Sequence, residues 1–140
     1  MAENFKILAE FVKDMSSETQ DIESYLFVKE NLSKYHLLID ITSKPIKNNM
    51  IEISTTIKYH DKENNDKRSY FEIIYATVIK LTADIKDKKE LEKILLCDVQ
   101  NEIYPRLEKV LLNLISDSGY SGIKFEKKID FDKLYKEQFN

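Results

Sequence analysis

Two histidines, one cysteine and a scatter of carboxylates are the residues of this 140-residue chain best suited to chemistry. A metal centre needs three or four converging donors, usually close in sequence on one element. His36 sits in an alternating apolar run and His60 opens a charged stretch, and neither has a second ligand at metal spacing. Both read as surface or strand-edge histidines. Cys97 stands beside Leu95 and Leu96, where a thiol acts as a small apolar side chain rather than a nucleophile. Ser121-Gly122 lacks the rest of a nucleophile elbow. The acids are spread through charged segments and single out no general acid–base pair. With only two glycines there is no Gly-rich phosphate loop. The sequence therefore points away from an enzyme, and to no cofactor and no metal; interaction is the expected business of the chain.

The elements that would position an interaction surface come in two blocks. Residues 5–12 are apolar with partial alternation, and residues 16–22 are polar and read as irregular. Tyr35, Leu37, Ile39 and Ile41 fall on one side of a strand, followed by a turn at residues 43–49. Ile51, Ile53, Thr55, Ile57 and Tyr59 alternate with Glu52, Ser54, Thr56 and Lys58, the pattern of a half-buried strand. Residues 60–68 read as a charged hairpin tip. In residues 69–81 one side carries Phe71, Ile73, Tyr75, Thr77 and Ile79, while the other carries Tyr70, Glu72, Ile74, Ala76 and Val78. Both sides are partly apolar, so both should meet something.

The period then changes to that of a helix. Leu91, Ile94, Leu95 and Val99 are followed by Ile103, Leu107, Val110, Leu111, Leu114 and Ile115 at steps of three or four. Pro105 should begin a second helix or kink a longer one, and Gly119 should end it. A short last helix is expected from residue 130 or 131, with Asp130 as N-cap and Phe131, Leu134, Tyr135 and Phe139 as its apolar stripe. The expected fold is α+β: a four-stranded antiparallel sheet, a long helical segment and a short C-terminal helix, in one domain spanning residues 1–140.

Composition narrows the partners. At 42% hydrophobic and 34% charged residues, the chain should be a soluble globule rather than a disordered tail. A net charge of −3 argues against general nucleic-acid binding, and Lys127-Lys128 is too short for such a footprint. No apolar run is long enough for stable membrane insertion, and the polar N-terminus lacks a signal peptide's apolar stretch. A single cysteine makes no internal disulfide, which fits the cytoplasm.

Four segments, in order, resemble the SecB family of bacterial protein-export chaperones. They are Phe5 to Glu18, with Phe11-Val12-Lys13-Asp14-Met15-Ser16 inside it; Ser69-Tyr70-Phe71-Glu72-Ile73; Asn101-Glu102-Ile103-Tyr104-Pro105; and Ile129-Asp130-Phe131-Asp132-Lys133-Leu134-Tyr135. The chain departs from the family pattern at Gln20, Asn31, Ala76-Thr77 and Arg106-Leu107-Glu108. The resemblance implies a homotetramer, a dimer of dimers, that holds unfolded preproteins without ATP and delivers them to the SecA motor. It also implies SecA-binding residues at Asp14, Glu18, Tyr70 and Glu72, and a client-binding trough wall of Tyr35, Leu37, Ile39, Phe71, Ile73 and Tyr75. The same six residues could instead form core beneath the helices. Two other readings stay open: a SecB-like chaperone dedicated to one partner, such as an antitoxin, and a small-ligand-binding α+β domain.

Overall fold

The computed structural model describes residues 4–61, 69–123 and 129–139. The expected hairpin tip lies mostly outside these residues, as does Lys127-Lys128. Four antiparallel strands form one sheet in the order β1-β4-β3-β2, with β1 at Phe5–Glu18, β2 at His36–Pro45, β3 at Met50–His60 and β4 at Tyr70–Leu81. A helix, α1 (Ile22–Asn31), and a 3-10 turn (Leu32–Lys34) separate β1 from β2 in the chain. Next come α2 (Lys88–Lys93), a π-helical turn (Ile94–Asp98), α3 (Val99–Asp117) and α4 (Phe131–Phe139). The α+β architecture is as the sequence implies.

The core follows from the alternation. Ile53 and Ile57 of β3 and Phe71, Ile73 and Ile79 of β4 have no exposed surface, nor do Val99, Ile103, Leu107, Leu111 and Ile115 of α3. These α3 residues recur every fourth position, so one stripe of the helix meets one face of the sheet. A buried polar pair is set into this layer. Thr55 Oγ1 donates to Gln100 Oε1 at 3.0 Å, and Gln100 Nε2 donates to the Leu95 carbonyl, in the π turn, at 3.2 Å.

Three local readings change. The strand does not stop at residue 16: Ser16, Ser17 and Glu18 stay paired with Glu72, Phe71 and Tyr70, because a partner strand supplies the ladder whatever the polarity. Residues 22–31 form the helix α1, which contiguous apolar residues at 25–28 conceal from any periodic test. Asp21 caps it, Oδ1 accepting from the Ser24 N–H at 2.7 Å. The turn after β2 is shorter than expected, since pairing runs to Pro45–Ile51. Asn48 (φ 64°) and Asn49 (φ 62°) then occupy the centre of the turn from Lys47 to Met50, the left-handed pair that suits a right-twisted hairpin.

Pro105 lies inside α3 instead of starting it. The carbonyl that loses its donor belongs to Asn101, which is exposed to water. Gly119 (φ 106°) ends α3: its N–H donates to the Ser116 carbonyl and that of Tyr120 to the Ile115 carbonyl, the paired bonds of a Schellman motif. Asp130 caps α4, accepting from the Lys133 N–H at 3.1 Å.

Candidate functional site: the outer face of the sheet

Helix α3 covers one face of the sheet and leaves the other to solvent. Two register shifts in β1, between Ile7 and Ala9 and between Val12 and Asp14, decide which of its side chains go where. Each inserts one extra residue and reverses the alternation. Against β4, Ile7, Glu10, Val12, Met15 and Ser17 share the covered side with Ile79, Thr77, Tyr75, Ile73 and Phe71. Lys6, Ala9, Phe11, Asp14, Ser16 and Glu18 share the open side with Lys80, Val78, Ala76, Ile74, Glu72 and Tyr70.

All four residues assigned to SecA contact therefore lie on the open face, at one corner of the β1–β4 ladder. Glu18 is directly opposite Tyr70, Glu72 is opposite Ser16 between them and Asp14, and Asp14 is opposite Ile74. Asp14 and Glu18 are exposed; Tyr70 and Glu72 are half-buried. The corner is not purely acidic. Lys58 pairs across from Glu72, its ammonium 5.8 Å from the centre of the Tyr70 ring. Lys13 Nζ reaches Glu52 Oε2 at 3.5 Å. Beyond the acids the same face turns apolar, with Phe11 half-exposed opposite Ala76 and flanked by Ile74 and Val78.

The six residues of the expected trough are all on the covered face. Phe71 and Ile73 are fully buried, and Tyr35 and Tyr75 are nearly so. Leu37 and Ile39, on the edge strand β2, are half-buried. The reason is that α3 packs down on the β4 row, while Tyr35 donates from its hydroxyl to the Ser69 carbonyl at 2.8 Å. Ile39 also packs on a small second cluster of Cys97, Tyr104 and Phe131, which docks α4. In this chain the β4 row is core, and Leu37 and Ile39 are the members that keep surface.

Reading the sequence alone missed the exposed apolar side chains of β1 (Leu8, Phe11, Val12 and Met15) and of α1 (Ile22 and Leu26). Apolar residues at both parities of β1 were the available signal. It also missed Glu10. Arg106 holds that carboxylate with two bonds of 2.8 Å, and the Tyr75 hydroxyl donates to it at 2.8 Å. Arg106 is one of the departures from the family pattern, and here it ties α3 to β1. Burial alone would raise the Glu10 carboxyl, but the Arg106 and Tyr75 hydrogen bonds and the Arg106 charge hold it below its ordinary value. A lowered carboxyl adds stability above the unfolded-state value, and that stability goes as the pH falls through the folded value. Arg106→Ala should cost about 1 kcal/mol at neutral pH, because the guanidinium is half-exposed. In urea titrations the deficit should close as the pH drops below the carboxylate range; a deficit unchanged by acid would refute the assignment.

Cys97 is buried and donates from Sγ to the Asp132 carboxylate. Burial first, and that carboxylate second, push the thiol up to about 12, so it stays protonated and inert at neutral pH. His36 and His60, widely separated in sequence, are direct cross-strand partners at the open end of the β2–β3 hairpin. The hairpin register thus supplies the neighbour that sequence spacing lacked. Among the described residues no group of three or more His, Cys, Asp or Glu side chains could hold a metal ion. Among them, too, no helix is long and apolar enough to cross a membrane.

The comparisons agree with this architecture. The model of the family "Preprotein translocase subunit SecB" matches residues 1–140. A putative protein-export protein SecB of Pelagibacter ubique is 54% identical over 140 residues, covering all of both chains. A protein-export protein SecB of Rhodospirillum centenum is 22% identical over 130 residues, covering 93% of this chain and 76% of that one. Among solved structures, the SecB-like chaperone of Mycobacterium tuberculosis, in complex with a ChAD peptide from the HigA1 antitoxin, matches with a TM-score of 0.64. It is 10% identical, covering 90% of this chain and 91% of that one, a likeness of fold. With its whole length matched by the family model and an equally long relative at 54% identity, the chain belongs to the SecB family.

Proposed function

We propose that the chain is the single-domain subunit of an ATP-independent holdase that binds unfolded preproteins in the cytoplasm and delivers them to SecA. Membership of the SecB family supports a chaperone role. The observation that carries the SecA step is the gathering of Asp14, Glu18, Tyr70 and Glu72 on one open corner, although 57 residues of chain separate the first from the last. Carboxylates on an exposed sheet face steer and orient a basic partner segment. Clients, presenting extended apolar chain, would engage Leu37 and Ile39 along β2. Tyr35, Phe71, Ile73 and Tyr75 would support that wall from beneath. The free edge of β1, with Leu8, Phe11, Val12 and Met15 exposed, favours assembly of subunits into a homotetramer. No step of this work calls for catalysis or a cofactor.

The test is calorimetric titration with one secretory preprotein, presented unfolded and then folded, followed by titration with SecA. Binding of the unfolded form alone is expected. Replacing Asp14, Glu18 and Glu72 together by Ala should weaken SecA binding by at least about tenfold and leave client affinity unchanged. Unaltered SecA affinity would remove these residues from the role.

A second reading keeps the fold and narrows the client to one dedicated partner. The M. tuberculosis neighbour, whose structure holds an antitoxin peptide, supports it. Failure to bind unfolded preprotein, with the protein folded, would favour that reading.

A further inference from the structure

The two histidines of the chain are separated by 23 residues, yet the β2–β3 register sets them directly opposite each other. Opposed residues of an antiparallel pair point to the same face with Cβ atoms about 4.5–5.5 Å apart. Two imidazoles so placed can reach a common ion at the usual nitrogen–metal distance of about 2.0–2.1 Å. His60 Nδ1 lies 2.9 Å from the Asp61 carbonyl, an acceptor only, so Nδ1 carries the proton and the Nε2 lone pair is left free. That Nε2 is buried and has no hydrogen-bond partner among the described residues. His36 is exposed, which gives an ion a path from solvent. A ring N–H anchored on a backbone carbonyl while the other nitrogen faces no donor is how ligating histidines are commonly oriented.

Lys58, next on the same face of β3, leans over Tyr70 on the β4 side and so away from β2. Glu72 faces Lys58 from β4. We propose that His36 and His60 form a two-histidine site for a late first-row divalent ion such as Cu2+, Ni2+ or Zn2+, with water completing the coordination. Imidazole favours these ions over Mg2+ or Ca2+, and affinity should be greatest for Cu2+. The bound ion would clip β2 to β3 at the end of the hairpin remote from the Asn48-Asn49 turn.

Tag-free protein titrated calorimetrically with NiCl2 and ZnCl2 should bind one ion per chain, with no heat from MgCl2. His36→Ala and His60→Gln should each weaken binding at least about tenfold, with the circular dichroism spectrum unchanged. The imidazole 15N resonances should show ligation at Nε2 of His60, and the thermal midpoint of the parent protein alone should rise with the metal. Absence of binding at millimolar nickel, or binding that survives in the double variant, would overturn the proposal. Since His36 is exposed, its substitution keeps the test informative even if the His60 variant folds poorly.

Discussion

Phe71→Ala is expected to lower the stability of the protein by about 3–5 kcal/mol, the cost of emptying a fully buried aromatic site. Phe71 has no exposed surface, and its ring meets Tyr120 edge-on at 5.8 Å. Tyr120 stacks in turn on Tyr25, whose hydroxyl donates to the Gly119 carbonyl at 2.9 Å. The lost volume therefore opens where β4, the end of α3 and α1 converge, and none of them can collapse into it alone. Urea unfolding should show a much lower midpoint with little change of slope. Client affinity measured on the fraction still folded should stay near that of the parent. A stability loss under about 1 kcal/mol together with a large loss of client binding would mean that Phe71 meets clients directly.

Gln100→Leu should be nearly as damaging, about 2–4 kcal/mol, despite being apolar and similar in size. It leaves the buried Thr55 hydroxyl without its acceptor and takes a side-chain donor from the Leu95 carbonyl, two losses within the core. Thr55→Val in the same chain removes one of them, so the double variant should recover part of the loss. A double-mutant cycle by chemical denaturation measures this coupling. Strict additivity would show that the Thr55–Gln100 bond contributes nothing specific. The π turn makes the arrangement possible, because its carbonyl lies within reach of a side chain five residues further on.

How far the sequence carries depends on whether a residue's environment is set locally. The alternation of Ile51 to Tyr59 and the four-residue spacing of Val99 to Ile115 each answer to one buried face, and both were legible. So was the cap of α4 at Asp130, a matter of one side chain and one turn. Helix α1 was not, since its apolar residues are contiguous and its capping bond from Asp21 has no periodic trace. The facing of β1 side chains was hidden for another reason: its register shifts are defined against β4, far away in the chain. The open-face corner was reached through family resemblance, and only the pairing register shows why Asp14, Glu18, Tyr70 and Glu72 fall together. The burial of Phe71 and Ile73 could not be separated from a trough wall, because an apolar strand face looks the same under a helix as under a client.

The two register shifts in β1 also bear on what the free edge of this sheet can seed. They divide the strand into regular stretches of three, four and five residues, at 5–7, 9–12 and 14–18. Stacked fibril cores are built from uninterrupted segments of about six or seven residues. No stretch of β1 reaches that length, and each irregularity twists the edge away from a flat template. The chain thus exposes an apolar border that is poorly shaped to nucleate amyloid.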